Sequence, residues 1–335
     1  MTQTVLLTGI TGFIAKRIAY DLLAAGYAVK GSLRSISRVD EVRAAVAKAG
    51  NLDRLSFVVL DLNSDAGWNE AMVGVDAVLH TASPFPLAEP KDEQSLIRPA
   101  VDGALRALRA AQHAGVHRVV LTSSIVSVVS VDKPAGVPYG PEDWSDVDHP
   151  TASAYVKSKT LAERAAWSFV AAHPEMQLTV INPGLVVGTP MDKHYGASLE
   201  LIERIMSGKD PAQPQVSISL VDVKDVSALH VGALSRPQTI GNRYIACDAS
   251  WMFPQIAKVI SDAYPARKVA TRIAPSWLMK LIGLFDPTVR GIIPSLGVDK
   301  MVENSATCRD FDFTFTPAKE AILASALAVD TLAKG

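Results

Sequence analysis

A glycine-rich turn near the start of the chain limits the possible folds more than any other feature. Residues 4–8 form an apolar run typical of a buried strand, Gly9-Ile10-Thr11-Gly12-Phe13-Ile14-Ala15 follows at once, and apolar residues then recur at helical spacing. This order of strand, turn and helix can hold a dinucleotide pyrophosphate at the helix N-terminus, because glycine lets the backbone approach the phosphates. The spacing is Gly-x-x-Gly-x-x-Ala rather than Gly-x-Gly-x-x-Gly, so a plain turn between a strand and a helix remains the alternative.

The first half of the chain continues this alternation of strands and helices, which predicts βαβ units. Strands are expected over residues 28–33, 55–60, 76–80, 118–122 and 178–181, and helices over 38–49, 94–115 and 152–172. Beyond residue 190 the alternation loosens, with helices expected over 223–235 and 317–333 and a strand over 243–247. The sequence therefore predicts an α/β fold: a Rossmann-type doubly wound parallel sheet with a smaller, mostly C-terminal substrate-binding part.

The two parts are not expected to be contiguous, since the late strand over 243–247 can return to the main sheet. The dinucleotide-binding domain is predicted over residues 1–190, rejoined by about 221–248. The substrate-binding part is predicted over residues 191–220 and 249–335. A chain of 335 residues is long for one domain, and its length fits one large part and one smaller part.

Composition argues against several classes of function. The net charge of −1 gives no electrostatic basis for binding nucleic acid or an anionic membrane, and no apolar run reaches the ~18 residues of a membrane span. Cys247 and Cys308 form no CxxC pattern and no cluster with histidine, so we expect neither a metal site nor a disulfide scaffold. The first strand begins at residue 4, which leaves no room for a leader peptide. These features predict a cytoplasmic enzyme.

Tyr155 and Lys159 lie four residues apart within the helix expected over 152–172. That spacing puts both side chains on one face of the helix, one turn apart. A cation beside a phenol favours the phenolate and lowers the pKa of the tyrosine, which can then act as a general acid at neutral pH. Tyrosine and lysine also occur at this spacing by chance, so the pair alone is a weak signal.

Ser123 and Ser124 follow directly after the strand expected over 118–122. The carboxyl ends of strands line the ligand crevice of an open α/β sheet. A hydroxyl there can donate a hydrogen bond to a substrate carbonyl oxygen, where negative charge develops as hydride arrives. Serines also cap turns after strands. Tyr155, about thirty residues downstream on the next helix, favours the catalytic interpretation.

The end of the strand over 28–33 bears on the choice of nicotinamide cofactor. NAD-binding folds place an acidic residue there to hold the ribose 2′-hydroxyl. Here the segment carries Arg34 and no acid, and Arg38 follows four residues on. A guanidinium suits a 2′-phosphate through paired hydrogen bonds, so the sequence favours NADP(H) over NAD(H). Two solvated surface arginines are the alternative.

Together these motifs resemble the extended short-chain dehydrogenase/reductases, and within them the group of dihydroflavonol 4-reductases, cinnamoyl-CoA reductases and aldehyde reductases. The similarity is dense over residues 1–190 and loose beyond them. Besides the glycine turn, Thr122-Ser123-Ser124 and the Tyr155/Lys159 pair, the matching segments are Asp61-Leu62, His80-Thr81-Ala82-Ser83-Pro84, Glu142-Asp143-Trp144-Ser145-Asp146, Ser158-Lys159-Thr160-Leu161-Ala162-Glu163 and Asn182-Pro183-Gly184-Leu185-Val186-Val187-Gly188.

The resemblance implies NADP(H)-dependent reduction of an aldehyde or ketone. Tyr155 would protonate the carbonyl oxygen, Lys159 would tune Tyr155 and touch the nicotinamide ribose, and Ser124 would be the catalytic serine. Besides Tyr155 and Lys159, the expected cofactor contacts are Gly9, Thr11, Gly12, Phe13, Ile14, Arg34, Arg38, Asp61, Leu62, Thr81, Ala82, Ser83, Pro183, Gly184, Leu185 and Val186.

Departures from the family pattern bear on the substrate. Val129 stands where flavonoid reductases carry an asparagine, Leu220 stands where many relatives carry a histidine, and the cinnamoyl-CoA reductase signature is missing. These departures favour a general carbonyl reductase. An apolar segment over 277–282 is expected to wall a pocket, and a lid is expected to begin after residue 190. Candidate substrate contacts are Ser83, Val129, His194 and Tyr195.

Other functions share this fold. A sugar-nucleotide epimerase or dehydratase of the same family would hold NAD, and a hydroxysteroid-type dehydrogenase would run related chemistry on a different alcohol. A redox-sensing regulator would bind the cofactor and would lack the Tyr155/Lys159 pair. The expected partner is a small-molecule carbonyl substrate, with no metal, and the expected assembly is a monomer or a homodimer.

Overall fold

A computed structural model describes residues 2–85, 90–149 and 152–332. The strands are β1 Thr4–Thr8, β2 Ala28–Leu33, β3 Leu55–Val59, β4 Ala77–His80, β5 Arg118–Thr122, β6 Gln177–Pro183, β7 Leu185–Val187, β8 Ser217–Asp222, β9 Arg243–Ala246 and β10 Ala249–Met252. The α-helices are α1 Phe13–Ala24, α2 Val39–Val46, α3 Trp68–Ala71, α4 Gln94–His113, α5 Ala154–Ala172, α6 Ala197–Met206, α7 Val223–Ala233, α8 Phe253–Ala263, α9 Ser276–Ile282, α10 Pro287–Ile292, α11 Ser305–Phe311 and α12 Ala318–Leu332.

The larger sheet has the strand order β3-β2-β1-β4-β5-β6-β9, and each neighbouring pair is parallel. This is the order of a doubly wound dinucleotide-binding sheet with β9 as one additional strand. Successive strands are added on one side of β1 up to β3 and on its other side from β4 onwards, so the topological switch point lies between β1 and β4. The α/β, Rossmann-type fold expected from the sequence is therefore confirmed. The late strand expected over 243–247 does return to the main sheet, where it pairs with β6.

Apolar side chains on both faces of the larger sheet hold a layer of helices on each side. In β1, Val5 and Leu7 belong to the core cluster that contains Ile18 of α1 and Val226 of α7. Leu6, between them in the sequence, belongs to the cluster that contains Ala107 of α4. Successive residues of a strand point to opposite faces, so continuous apolar strands such as β1 require cover on both sides.

The ends of some elements differ from the sequence expectation. The helix expected over 38–49 is the shorter α2, with 3₁₀ turns over Ile36–Arg38 and Ala47–Ala49 on either side. The strand expected over 178–181 is longer and includes Pro183. Pro183 fits there because the sheet hydrogen bond beside it is made by Gly184, whose N–H donates to Ala246 O.

A second, smaller sheet has the order β10-β8-β7, with β8 parallel to β7 and antiparallel to β10. Its core cluster combines apolar residues of α6, α8 and α12 with Leu220 of β8. β7 lies within the range predicted for the dinucleotide-binding domain, yet it pairs in this second sheet. The chain therefore passes from one sheet to the other between Pro183 and Leu185.

Gly184 makes this passage possible, because a side chain there has no space. A Cβ on Gly184 would lie 2.4 Å from Ser219 O and 2.8 Å from Cys247 Sγ. The first of these atoms is main chain of β8, and the second belongs to a wholly buried side chain that follows β9. The close approach of the two sheets at this point therefore requires glycine.

We expect Gly184→Ala to lower the free energy of unfolding by about 1–3 kcal/mol, the usual cost of forcing extra atoms into a packed region. Gly140→Ala is the matched control, because a Cβ at Gly140 meets nothing within 4 Å. That variant should stay within about 0.5 kcal/mol of the wild type. Urea unfolding curves measure both. Equal midpoints for the two variants would contradict the contact between the sheets.

Candidate active site

The carboxyl ends of β1, β4, β5 and β6 border an elongated cleft at one edge of the larger sheet. Two cavities, of about 400 Å³ and 420 Å³, together form the cleft. Both are lined by Gly9, Gly12, Thr81, Ser83, Pro84 and Phe85, so the cavities are continuous. Such a position at a topological switch point is typical of ligand sites in doubly wound sheets.

The glycine turn lies where the two cavities meet. Gly9 has a φ of +69°, and a Cβ there would lie 3.0 Å from Ala82 Cα. Gly12 N donates to Gly9 O at 2.9 Å, which closes the turn, and no side chain caps the N-terminus of α1. The uncapped N–H groups of a first helical turn, together with the helix dipole, favour an anion. The turn thus fits a dinucleotide pyrophosphate.

One half of the cleft has the polar character expected for an adenosine. Arg34, Asp61, Leu62, Thr81, Ala82 and Ser83 line it, as does Thr11 of the glycine turn. Arg34 is exposed at the end of β2, and neither of its neighbours in the sequence, Leu33 and Ser35, is acidic. The arrangement leaves a guanidinium at the place where a ribose 2′-phosphate is expected.

Arg38 lies away from Arg34. Its guanidinium donates to Glu41 at 2.9 Å from Nε and 2.8 Å from Nη2, and it lines a third cavity, which adjoins the cleft, with His194 and Glu200. The structure therefore does not bring the two arginines together in one cavity. The sequence could have indicated this ion pair, because oppositely charged side chains three residues apart on a helix favour one another, as Arg38 and Glu41 do.

The other half of the cleft contains the catalytic candidates Ser124, Tyr155 and Lys159, together with Phe13, Ile14, Pro183, Gly184, Leu185 and Val186. Tyr155 lies in the first turn of α5, which Ser153 begins by accepting a hydrogen bond from Val156 N at 3.2 Å. Ser124 lies directly after β5, and its hydroxyl is hydrogen-bonded with Tyr155. Lys159 is buried one turn further along α5. The serine and the tyrosine are therefore brought together as the sequence predicts.

The pKa of Tyr155 is not lowered as the sequence predicts. Burial raises the pKa of Tyr155 to about 12, and the hydrogen bond with Ser124 acts in the opposite direction. Lys159 Nζ instead donates to Thr122 O at 3.2 Å, and burial lowers its own pKa to about 8. The prediction of a lowered tyrosine pKa was wrong for this structure, because burial of both groups outweighs their proximity.

Two buried histidines hold the strand ends that carry the site. His80 of β4 shares a hydrogen bond of 2.9 Å with Thr8 Oγ1, and His230 of α7 shares one of 2.7 Å with Thr122 Oγ1. Burial lowers the pKa of His80 to about 3 and that of His230 to about 4, so both are neutral at physiological pH. Sequence reasoning left both histidines unassigned.

The candidate substrate residues separate in the structure. Ser83 and Tyr195 line the catalytic half of the cleft. His194 does not: it lies 3.5 Å from Glu41 and lines the neighbouring cavity with Arg38. Val129 is buried in a core cluster with Val128 and Tyr139, away from the cleft. The segment over 277–282 forms α9 and lines no part of the cleft, and Trp277 is 68% exposed.

Several apolar residues missed by sequence reasoning complete the catalytic half. Phe85 packs its ring edge against Tyr155, with ring centroids 4.9 Å apart, and Ile125, Val126 and Ile218 line the same cavity. The sequence could have indicated Phe85 as a cleft residue, because it directly follows the His80–Pro84 segment after β4. The space in front of Tyr155 is therefore predominantly apolar.

A buried ion cluster fixes the segment after residue 190 beside the glycine turn. Lys16 of α1 is almost wholly buried, and its ammonium contacts the carboxylates of Glu41 and Asp192. Glu41, Asp192 and His194 are close enough together to hold a metal ion, but the Lys16 ammonium already lies between the two carboxylates. The cluster joins α1 and α2 to the residues that lead to Tyr195.

The fold and the cleft are those of a dinucleotide-binding enzyme, and Ser124, Tyr155 and Lys159 line one half of the cleft. The sequence model of the NAD-dependent epimerase/dehydratase family matches residues 5–247. The chain therefore belongs to this family of extended short-chain dehydrogenase/reductases, as its motifs predict. Among the described residues, no helix combines the length and apolar character that crossing a bilayer requires.

Several similar proteins are named as reductases. The chain is 32% identical to cinnamoyl-CoA reductase 1 of Arabidopsis thaliana over 273 residues, which cover 81% of this chain and 77% of that protein. It is 30% identical to an anthocyanidin reductase of Vitis vinifera over 321 residues, or 90% and 94% of the two chains. A crystal structure of yeast methylglyoxal/isovaleraldehyde reductase Gre2 complexed with NADPH superposes with a TM-score of 0.82 at 27% identity, covering 99% of each chain. These findings confirm the expected class of enzyme, an oxidoreductase.

The buried Lys159 should reduce the stability of the folded protein at neutral pH. Its pKa is about 8 when folded, against an ordinary 10.5, so the unfolded chain binds the additional proton between these values and stability rises with pH there. Lys159→Met removes this penalty. We expect a gain of up to about 3 kcal/mol at pH 7 that shrinks as the pH rises above 8.

Urea unfolding of the wild type and Lys159→Met at several pH values measures this effect. Lys157→Met on the same helix is the control, because Lys157 is less buried and pairs with Glu93 at 2.7 Å. Its difference from the wild type should not vary over this pH range. A loss of stability in Lys159→Met at pH 7, or a gain that is independent of pH, would show that Lys159 is buried without penalty.

Proposed function

We propose that the protein reduces the carbonyl group of an aldehyde or ketone to an alcohol with NADPH. The observation that carries the proposal is the meeting of Ser124 and Tyr155 in a cleft continuous with the glycine turn. The apolar surroundings of Tyr155, which include Phe85 and Ile218, suit a substrate that is not a sugar. The reductase activities named for the relatives agree with this reaction.

The hydride for the carbonyl carbon would come from NADPH bound in the cleft. The residues of the glycine turn would hold its pyrophosphate, because no side chain caps the N-terminus of α1 there. Asp61 and Leu62 line the adenosine half, and Pro183 to Val186 border the other half. Arg34 favours NADP(H), which agrees with the NADPH complex of the yeast relative.

The proton comes from Tyr155. The hydroxyls of Ser124 and Tyr155 can both donate a hydrogen bond to the substrate oxygen, and these bonds strengthen as negative charge develops on it. A phenol whose pKa is raised to about 12 stays protonated at neutral pH, and the alkoxide formed by hydride transfer is basic enough to take its proton. Lys159, one turn away, would stabilise the phenolate that remains.

Two rival functions make different demands on the same site. A sugar-nucleotide epimerase or dehydratase would retain its oxidised cofactor, so an absorbance scan of the purified protein would show a bound dinucleotide. A hydroxysteroid-type dehydrogenase would oxidise a bulky alcohol. NADPH consumption against aldehydes, α-ketoaldehydes, β-ketoesters, hydroxyketones and ketosteroids separates the three. Turnover of none of these carbonyls would contradict the proposal.

Tyr155→Phe should lower kcat by ~100-fold or more, the usual effect of removing a general acid. Because the ring remains, NADPH affinity measured by fluorescence titration should be nearly unchanged. Tyr27→Phe is the control, because Tyr27 lies beside Ala28 at the start of β2, far from the cleft. Substantial turnover by Tyr155→Phe across the carbonyl panel would remove Tyr155 from the mechanism.

Arg34→Ala should weaken NADPH binding by ~1.5–3 kcal/mol, the value of a charge-assisted hydrogen bond to phosphate. NADH binding should change little, because NADH has no 2′-phosphate. Arg109→Ala, an exposed change on α4, is the control and should alter neither affinity. Equal losses for both cofactors, or a wild type that prefers NADH, would contradict the proposed role of Arg34.

A further inference from the structure

Glu163 is a wholly buried carboxylate on the helix that carries Tyr155 and Lys159. It follows Lys159 by four residues and Tyr155 by eight, so the three side chains lie along one face of α5. A fully buried acid is rare unless it is paired. The partners of Glu163 show what its charge holds in place.

One carboxylate oxygen faces the ends of β5 and β6. Glu163 Oε2 accepts hydrogen bonds from Ser123 Oγ at 2.5 Å and from Asn182 Nδ2 at 2.8 Å. Ser127 Oγ lies 2.8 Å from the same oxygen. Ser123 and Ser127 flank Ser124 in the sequence, so the carboxylate contacts the segment that presents Ser124 to Tyr155.

Two of these partners also contact Ser124 itself. Ser127 Oγ lies 2.6 Å from Ser124 O, and Asn182 Nδ2 lies 3.2 Å from the same carbonyl oxygen. Glu163, through Ser127 and Asn182, therefore limits where the main chain of Ser124 can be. The distance between the Ser124 and Tyr155 hydroxyls depends on these contacts, because Glu163 and Tyr155 share one rigid helix.

The other carboxylate oxygen is held by a buried arginine. Arg243 Nε donates to Glu163 Oε1 at 2.5 Å, and Arg243 Nη1 donates to Pro141 O at 2.7 Å. The guanidinium also lies over the ring of Trp144, 3.7 Å from its centroid. Arg243 thus balances the charge of Glu163 and fixes the orientation of its carboxylate.

We infer that Glu163 is a positioning residue of the active site, which locks the Ser124 segment to the helix of Tyr155 and Lys159. The inference rests on the proposed function. The serine and the tyrosine come from different parts of the fold, and a displacement of about 1 Å between them costs up to ~100-fold in rate. Glu163 connects these parts directly, alongside the hydrogen bond from Lys159 to Thr122 O.

The charge of Glu163 also acts on Lys159. The groups that face Lys159 are Tyr155 and Glu163 from its own helix, His80 from β4 and the carbonyl of Thr122 from β5. His80, and His230 behind Thr122, are neutral at physiological pH. Glu163 is the group that raises the pKa of Lys159 against the effect of burial. Removing its charge should therefore lower this pKa.

Glu163→Gln tests the inference with a side chain of the same shape. We expect kcat for the best carbonyl substrate to fall by roughly 10- to 100-fold, with KM for NADPH within about threefold of the wild type. Activity is expected to decline as the pH rises through the pKa of Lys159. In the variant this decline should begin at a lower pH.

Ser127→Ala separates position from charge and serves if Glu163→Gln does not fold. It removes a link between Glu163 and Ser124 and keeps the carboxylate, so kcat should fall while the pH of the decline stays the same. Hydrogen–deuterium exchange gives a readout that does not need turnover. In both variants the amides of residues 123–128 should exchange about tenfold or more faster than in the wild type.

Asp225→Asn is the matched control, because Asp225 is another buried carboxylate, one that holds Thr316 N at 2.7 Å and lines neither cavity of the cleft. It should lower the melting temperature and leave kcat, the pH profile and exchange at 123–128 unchanged. Wild-type kcat in Glu163→Gln, an unmoved pH decline in that variant, or unchanged exchange at 123–128 would overturn the inference. A wild type without turnover would instead contradict the proposed function, while the exchange experiment would still decide the role of Glu163.

Discussion

The parallel hydrogen bonding of β1, β4, β5 and β6 is the constraint on which the site depends. Parallel pairing places the carboxyl ends of these strands at one edge of the sheet. The glycine turn after β1, the segment over 81–85 after β4 and Ser124 after β5 therefore meet around one cleft. If one of these strands were reversed, the motif that follows it would lie at the opposite edge of the sheet, away from the others.

The region beneath the cleft contains several buried polar groups. Lys16, His80, Lys159, Glu163 and His230 are all buried close to the strand ends. Each is held by a specific partner, because an unpaired buried charge or dipole is costly. Such pairing leaves each group a single low-energy arrangement. Burial of paired polar groups therefore explains both the fixed position of Ser124 relative to Tyr155 and the free-energy cost of burying Lys159.

The local patterns predicted the sheet well. The ends of β1 and β5 agree with the apolar runs, because a parallel strand covered on both faces is rich in apolar residues. Tyr155 and Lys159 could be placed on one helix face from their spacing alone. The passage of the chain to a second sheet at Gly184 was not predicted, because it depends on main-chain atoms of β8 that are distant in sequence.

Properties that depend on three-dimensional surroundings were not visible in the sequence. Spacing placed Lys159 beside Tyr155, but burial of both groups decides their pKa values. Arg38 and His194 are charged residues at plausible positions, yet Glu41 holds one and lies beside the other. In the sequence, Glu163 was noted only as the last residue of the family-like segment over 158–163. Its partners Ser123, Asn182 and Arg243 come from three separate strand ends.

Following the hydrogen atom tests the central claim most directly. The wild-type protein would be given NADPH carrying deuterium at both positions of nicotinamide C4, with the best aldehyde or ketone from the panel in ordinary water, and the alcohol would be analysed by mass spectrometry and NMR. Hydride transfer predicts one deuterium on the carbinol carbon and a solvent-derived proton on the oxygen. An alcohol without deuterium at that carbon, or an isomerised product with no net consumption of NADPH, would contradict a carbonyl reductase.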